Sequence, residues 1–337
     1  MTEALSFWPF LSHQEGSAVD QAVRSALAVS LRTVYAKAVD RINFDEDRLE
    51  DLLRNIRRGP VRPAVFGLYA DLVESLISGN SATLEALSHN LFELDPTCNG
   101  IRIAALTDGD LGIGQSERYA RLIDDDPDRS YPIQPLESSQ FQGAYSKVSS
   151  ALRLLDEGVP ELAEEIRGLV REIVLVTDAK SSETRSFDGA STFYLWGAVL
   201  LNVEDVTRLD LAQQIAHEAA HLLLFGLMMG QPLTANGLED RYLSPLRQDP
   251  RPMEGVVHAA YVLARMSYAL ERLLGAGTLS VDEQEKARLD LATHRNLFFD
   301  TLPVILRHAR FKPGGNTAFW GAIKYMRRES ELGQVSV

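Results

Sequence analysis

The chain has 337 residues, 45% hydrophobic and 24% charged, a composition that belongs to folded globular proteins and excludes disordered and fibrous classes. Lys and Arg number 34 against 47 Asp and Glu, and the resulting charge of −13 argues against nucleic acid or an anionic membrane as partner, because phosphate binding draws on clustered cations. A single cysteine, Cys98, excludes an internal disulfide framework and a cysteine-based zinc site, and its setting, Pro96-Thr97-Cys98-Asn99-Gly100, reads as a turn.

The opening MTEALSFWPFLSHQEG lacks the basic start and apolar run of a signal peptide, and no run of about 18 apolar residues offers a membrane span, so a cytoplasmic protein is expected. From Gly16 to about Asp40, Val19, Val23, Leu27, Leu31 and Val34 recur at helical steps. Leu49, Leu52, Leu53 and Ile56 predict a second helix stopped by Gly59-Pro60, and Val65 to Leu76 a third ending near Gly79-Asn80. Ile101–Leu106 reads as a strand, the acid-rich run from Asp124 to Asp128 as a surface loop, and Phe141 to Leu155 as a helix stopped by Gly158. A shorter helix is expected from Pro160, since proline suits a first turn.

Glu172–Thr177 and Thr192–Val203 are rich in branched and aromatic residues and read as strands around the polar Lys180–Ser191; the second is a candidate edge for an extended peptide. The C-terminal third returns to helix, with Ser280 to Glu283 as a capping box. Beyond Thr301, six cations (Arg307, Arg310, Lys312, Lys324, Arg327, Arg328) face two acids, which reads as a solvated helix face or a cradle for an acidic peptide. The expected fold class is α+β, predominantly helical with a small sheet next to a zincin-like metal-binding helix. A helical region 1–95 precedes a catalytic region 96–337, and no clear linker divides them.

Chemistry concentrates in Leu211–Met229, where His217-Glu218-Ala219-Ala220-His221 is an H-E-x-x-H motif in a stretch free of Gly and Pro up to Leu224. Four residues apart on a helix, both imidazoles leave one face and can bind one metal ion, and Glu218 is placed to polarise a water or hold a substrate group. A third ligand is needed. His258 is taken for that role, with Glu254, which shares its helix face, and then Glu239 or Asp240 as alternatives. Three histidines leave the ion dipositive, whereas two histidines and a carboxylate match the facial triad of non-haem iron oxygenases, so spacing alone does not separate iron from zinc. Between the helices, Tyr242–Pro252 holds Arg247 and Arg251 among three prolines, a setting in which guanidinium groups can clamp a carboxylate co-substrate.

The three-part block HEAAHLLL, YLSPLRQDPRP and EGVVHAAYVLARM, within Thr192 to Met266, resembles the HExxH-type peptide-modification proteins of ribosomal peptide pathways, which are iron- and 2-oxoglutarate-dependent peptide β-hydroxylases. The resemblance implies Fe(II) on His217 and His221 with a third ligand from the second helix, 2-oxoglutarate held partly by arginine, and O2-dependent hydroxylation of a side-chain β-carbon in a precursor peptide. Glu218 then serves substrate positioning. Leu224 and Leu227 stand where metzincins carry Gly and His, which argues sharply against that peptidase class. The remaining alternatives are a zinc peptidase with Glu218 as general base, and a peptide-binding scaffold that has lost its metal.

Overall fold

In a computed structural model of the protein, which describes residues 13–124, 133–178, 188–244 and 247–334, apolar spacing in the N-terminal third produces four helices. The opening segment 1–12, the acid-rich run 125–128 and most of the polar stretch 180–191 lie outside the described residues. α1 (His13–Ala38) buries Val19, Val23, Leu27, Leu31 and Val34. α2 (Glu46–Arg58) begins where the Asp45 carboxylate accepts from the backbone of Asp47 and Arg48, and it buries Leu49, Leu52, Leu53 and Ile56. α3 (Pro63–Ser78) opens on proline and is closed by Gly79 at φ 79°, a left-handed turn that favours glycine, and α4 (Ser81–Glu93) is capped by the Asn80 side chain.

The next stretch builds a sheet: β1 (Arg102–Ala105), α5 (Asp108–Leu111), α6 (Gln115–Ile123), β2 (Ile133–Pro135), α7 (Ser138–Gly158), α8 (Pro160–Leu169), β3 (Glu172–Asp178), β4 (Gly189–Ala190) and β5 (Ala198–Asn202). β3 pairs parallel with β1 on one side and β5 on the other, β2 adds antiparallel to the end of β3, and β4 pairs antiparallel with β5. Ile173 to Val176 and Ala198 to Leu201 are fully buried, which is why these strands read as continuous apolar runs rather than alternating ones.

The expected strand Thr192–Val203 is shorter than its composition suggests. Phe193–Leu195 form a 3-10 turn, and Gly197 sits at φ +88°, where an added Cβ would lie 2.9 Å from Arg171 Cγ. β5 therefore begins only at Ala198 and has partners on both sides, so it is an interior strand and not the free edge expected for a peptide.

The last part of the chain comprises α9 (Arg208–Met228), the hairpin strands β6 (Tyr242–Ser244) and β7 (Arg247–Arg251), α10 (Met253–Ala276), α11 (Val281–His308) and α12 (Pro313–Gln334). The proline-bearing link expected between the two chemical helices is thus a short antiparallel hairpin, with Tyr242 opposite Arg251 and Ser244 opposite Arg247. Among the described residues the protein is mostly helical (69%) with a small sheet, an α+β composition, and no helix there is long and apolar enough to cross a membrane.

The chain divides into two compact units, but not near residue 95. One unit takes the described residues of Ser17–Ser146 and Arg167–Val206, so the N-terminal helices share it with the sheet; the other takes Lys147–Ile166 and the described residues from Thr207 onward. In the sheet unit, the fully buried Glu172 carboxylate accepts from Arg62 Nε (3.1 Å), Arg102 Nη2 (2.9 Å) and the Tyr119 hydroxyl (2.7 Å). Buried Asp20 similarly takes Arg24 Nε (2.8 Å) and Trp196 Nε1 (3.0 Å). These donors offset the cost of burying two carboxylates.

In the helical unit, α9 starts with a capping box between Thr207 and Asp210, and α11 with the expected one between Ser280 and Glu283. The two helices are joined by rungs that advance in step: Arg208 to Glu283 (2.6 Å), Asp210 to Lys286 (3.0 Å) and Gln213 to Asp290 (2.9 Å). Farther along, the core closes around Leu224, Val257, Tyr261, Phe298, Ile305 and Phe319.

Candidate metal centre

α9 presents His217 and His221 on one face, as their spacing requires. Their Nε2 atoms stand 3.2 Å apart. Each imidazole is engaged through its other nitrogen as well: His217 Nδ1 lies 3.3 Å from Met266 Sδ, and His221 Nδ1 lies 3.1 Å from His258 Nδ1. His258 Nε2 in turn lies 3.2 Å from Glu254 Oε1, so α10 supplies three of the partners. Glu254 is itself fixed by Leu233 N (2.8 Å) and Thr234 N (3.1 Å).

A thioether has no hydrogen to give, so the His217–Met266 contact is a hydrogen bond only if His217 Nδ1 carries the proton, which leaves Nε2 as a lone pair. At the other end of the cluster, burial opposes ionisation of Glu254, but the hydrogen bond and charge of His258 and the hydrogen bonds from Leu233 and Thr234 outweigh it and hold the carboxyl below its ordinary value. His258 thus bridges the Glu254 carboxylate and His221, one ring nitrogen toward each. The Nε2 atoms of His217 and His221 face one another across 3.2 Å, a distance at which they share a hydrogen bond when one carries the proton and can share a cation when neither does. Two nitrogens each about 2.1 Å from one ion stand about 3.0–3.4 Å apart at ordinary bond angles, so the separation fits a shared metal.

The electrostatics favour the same state. Burial, with His294 adding to it, pushes the His217 pKa down; burial pushes His221 well below its ordinary value, and His217, His258 and Arg251 add to it. Neutral imidazoles are the metal-binding form. The His217 side chain nevertheless keeps 38% of its surface exposed, so the pair is approachable. Glu218 is buried, with Oε1 3.8 Å from His217 Nε2.

Of the other expected residues, His258 and Glu254 join the cluster, but at the outer nitrogen of His221 and not at the Nε2 pair. Glu239 and Asp240 are exposed, and Asp240 accepts from Gly237 N and pairs with Arg310. Arg251 is half-buried at the end of β7, and its Nη1 lies 4.0 Å from the point where a Cβ on Gly255 would stand, over the first turn of α10. The side chain of Arg247 lies outside the described residues. Among the described residues no group of three or more His, Cys, Asp or Glu side chains is arranged to hold a metal ion.

Two neighbours escaped the sequence reading. Met266 was legible only as an apolar helix position. His294 lies on α11 one turn past Asp290, close enough for its charge to bias His217, and its buried Nδ1 has no hydrogen-bond partner among the described residues. The four-residue recurrence Lys286, Asp290, His294, opposite the polar positions Asp210, Gln213 and His217, was the available signal.

Compared with models of known protein families the chain matches none, and no curated protein is significantly similar to it.

Proposed function

We propose that this protein is an iron(II)- and 2-oxoglutarate-dependent oxygenase that hydroxylates a side-chain β-carbon of a ribosomally made peptide. The observation that carries a metal-dependent reading is the separation of 3.2 Å between the Nε2 atoms of His217 and His221, which suits two ligands of one metal ion. His217 and His221 bind the metal from a zincin-like helix, and the positions they leave are available to small ligands. Arg251 favours a carboxylate co-substrate there, since its charge reaches His221 and its planar guanidinium suits carboxylate. When bound, the iron and 2-oxoglutarate supply the oxidising chemistry: one oxygen atom of O2 enters succinate as CO2 is lost, and the other enters a substrate C–H bond. The open side of His217 gives a peptide its approach, and Glu218 orients a polar group of that peptide.

One observation favours a second reading, a zinc peptidase. Glu218 Oε1 at 3.8 Å from His217 Nε2 is near enough to take a proton from an attacking water. Anaerobic titration with Fe(II) and 2-oxoglutarate separates the two. A charge-transfer absorption that disappears in His217→Ala, followed by succinate on admitting oxygen, is the expected result. Zinc at one per chain, no 2-oxoglutarate-dependent absorption, and peptide cleavage lost in Glu218→Gln would replace the oxygenase with the peptidase.

A further inference from the structure

We infer that the exposed face of α12 is a docking track for an acidic peptide segment, which belongs to the peptide substrate if the function proposed above holds. Beyond its first residue, the exposed positions of α12 among the described side chains are Asn316, Thr317, Trp320, Lys324, Arg327 and Arg328. At 3.6 residues per turn they fall on one face about 120° wide. That face holds three cations, an indole 47% exposed, and no acid. Lys324 and Arg328, one turn apart, have no ion-pair partner among the described residues. From Thr301 to Arg328 the chain carries six cations and no acid, with Glu329 and Glu331 only after it, and Arg310 reaches exposed Asp240 at 4.0 Å. Exposed cations elsewhere are neutralised in place: Arg32 meets Glu50, Arg48 meets Glu93 and Arg54 meets Asp51. In a chain of charge −13, a helix face free of acids is a local exception that solvation alone does not require.

Charge complementarity names the occupant. Carboxylates of an acidic segment pair with Lys324 and Arg328, and an apolar side chain between them covers Trp320, a residue type that anchors interfaces. Duplex nucleic acid or an anionic bilayer brings far more negative charge than this one face meets, and the rest of the molecule repels it. From Pro313 to Arg328 the helix rises about 23 Å, a span that about seven residues of extended peptide cover. The track also begins near the histidine cluster. Ala235 N donates to Arg310 O (2.7 Å) and Lys312 N to Leu233 O (2.8 Å), and Leu233 and Thr234 in turn hold the Glu254 carboxylate that meets His258. Two such neighbouring segments are about 10 Å across, so the acidic run and the residue presented to the metal centre are expected within about ten residues of each other.

The test is fluorescence anisotropy of the full chain, without metal, against a labelled peptide that alternates Glu and Asp around one Leu. Saturable binding that weakens with added salt is expected, and none to the same peptide with Gln and Asn in place of the acids. Lys324→Glu with Arg328→Glu is expected to weaken binding about tenfold or more. Arg57→Glu with Arg58→Glu, an equal change of charge at exposed positions of α2, is expected to leave it within about twofold. Trp320→Ala is expected to weaken it several-fold without touching a charge. Absence of saturable binding by the wild type, or an equal loss in both double variants, would overturn the docking track and leave the metal reading intact. So would capture of phosphatidylglycerol vesicles or duplex DNA through Lys324 and Arg328 with the peptide left unbound. Peptide binding on this face with no charge-transfer absorption in the Fe(II) titration would uphold the track and remove the oxygenase.

Discussion

The ion pair between Arg265 on α10 and Glu165 on α8 is the most demanding electrostatic feature of the helical unit, since its side chains are only 1% and 0% exposed. Removing the guanidinium with Arg265→Met leaves a carboxylate that water cannot reach, and such a loss costs about 3–5 kcal/mol. Replacing both partners, as Glu165→Leu with Arg265→Met, removes the two desolvated charges together and is expected to fall within about 1 kcal/mol of wild type. The measurement is urea unfolding of the four proteins, read as midpoint shifts at constant slope, so that the coupling between the two sites follows from the cycle. A single mutant within about 1 kcal/mol of wild type would refute the argument that the pair is buried and mutually dependent. So would a double mutant as unstable as the sum of the singles.

Other consequences are open to simpler assays. The Arg208 guanidinium bonded to Glu283 lowers that carboxyl from 4.5 to about 2. A depressed folded-state pKa stabilises fully above 4.5, and the gain is lost as pH falls through about 2; the unscreened figure of about 3 kcal/mol is reduced by exposure to about 1 kcal/mol. Arg208→Gln should therefore flatten the acid limb of the stability curve in that window, and an unaltered limb would contradict the pairing. Gly197→Ala must accept φ +88° and a Cβ 2.9 Å from Arg171 Cγ, and thermal unfolding should register a loss of about 2 kcal/mol or more. Tyr119→Phe leaves Glu172 with its two arginines and removes a hydrogen bond to a buried charge, for an expected loss of about 1.5–3 kcal/mol in chemical denaturation.

The helices were legible because their buried faces are written as spacing: Leu49, Leu52, Leu53 and Ile56 announce α2, and Ser280 with Glu283 announces the start of α11. The same logic placed His217 and His221 on one face and Glu254 with His258 on another. Spacing could not say which nitrogen of His258 meets which nitrogen of His221, because that depends on side-chain torsions and on how α9 and α10 approach each other. Nor could it find His294, whose relation to His217 arises only when α9 and α11 run in step. Composition misled in two places. Thr192–Val203 is rich in branched and aromatic residues, yet the left-handed Gly197 delays the strand, and the prolines of Tyr242–Pro252 suggested a linker where the chain forms a short pair of strands.

The polar rungs between α9 and α11 all lie on the N-terminal side of His217, whereas Leu222, Leu223 and Leu224 anchor the helix beyond His221 in apolar surroundings. The histidine pair is thus suspended between two anchorages that respond to different stresses. Salt screens the two partly buried ion pairs among the rungs, and cold weakens the grip of the leucines. High salt should loosen the approach to His217, low temperature should loosen the exit from His221, and either change alone leaves one end of the pair held. A metal ion joining the two rings would tie those ends together, so metal-loaded protein should tolerate salt and cold in combination better than the metal-free form.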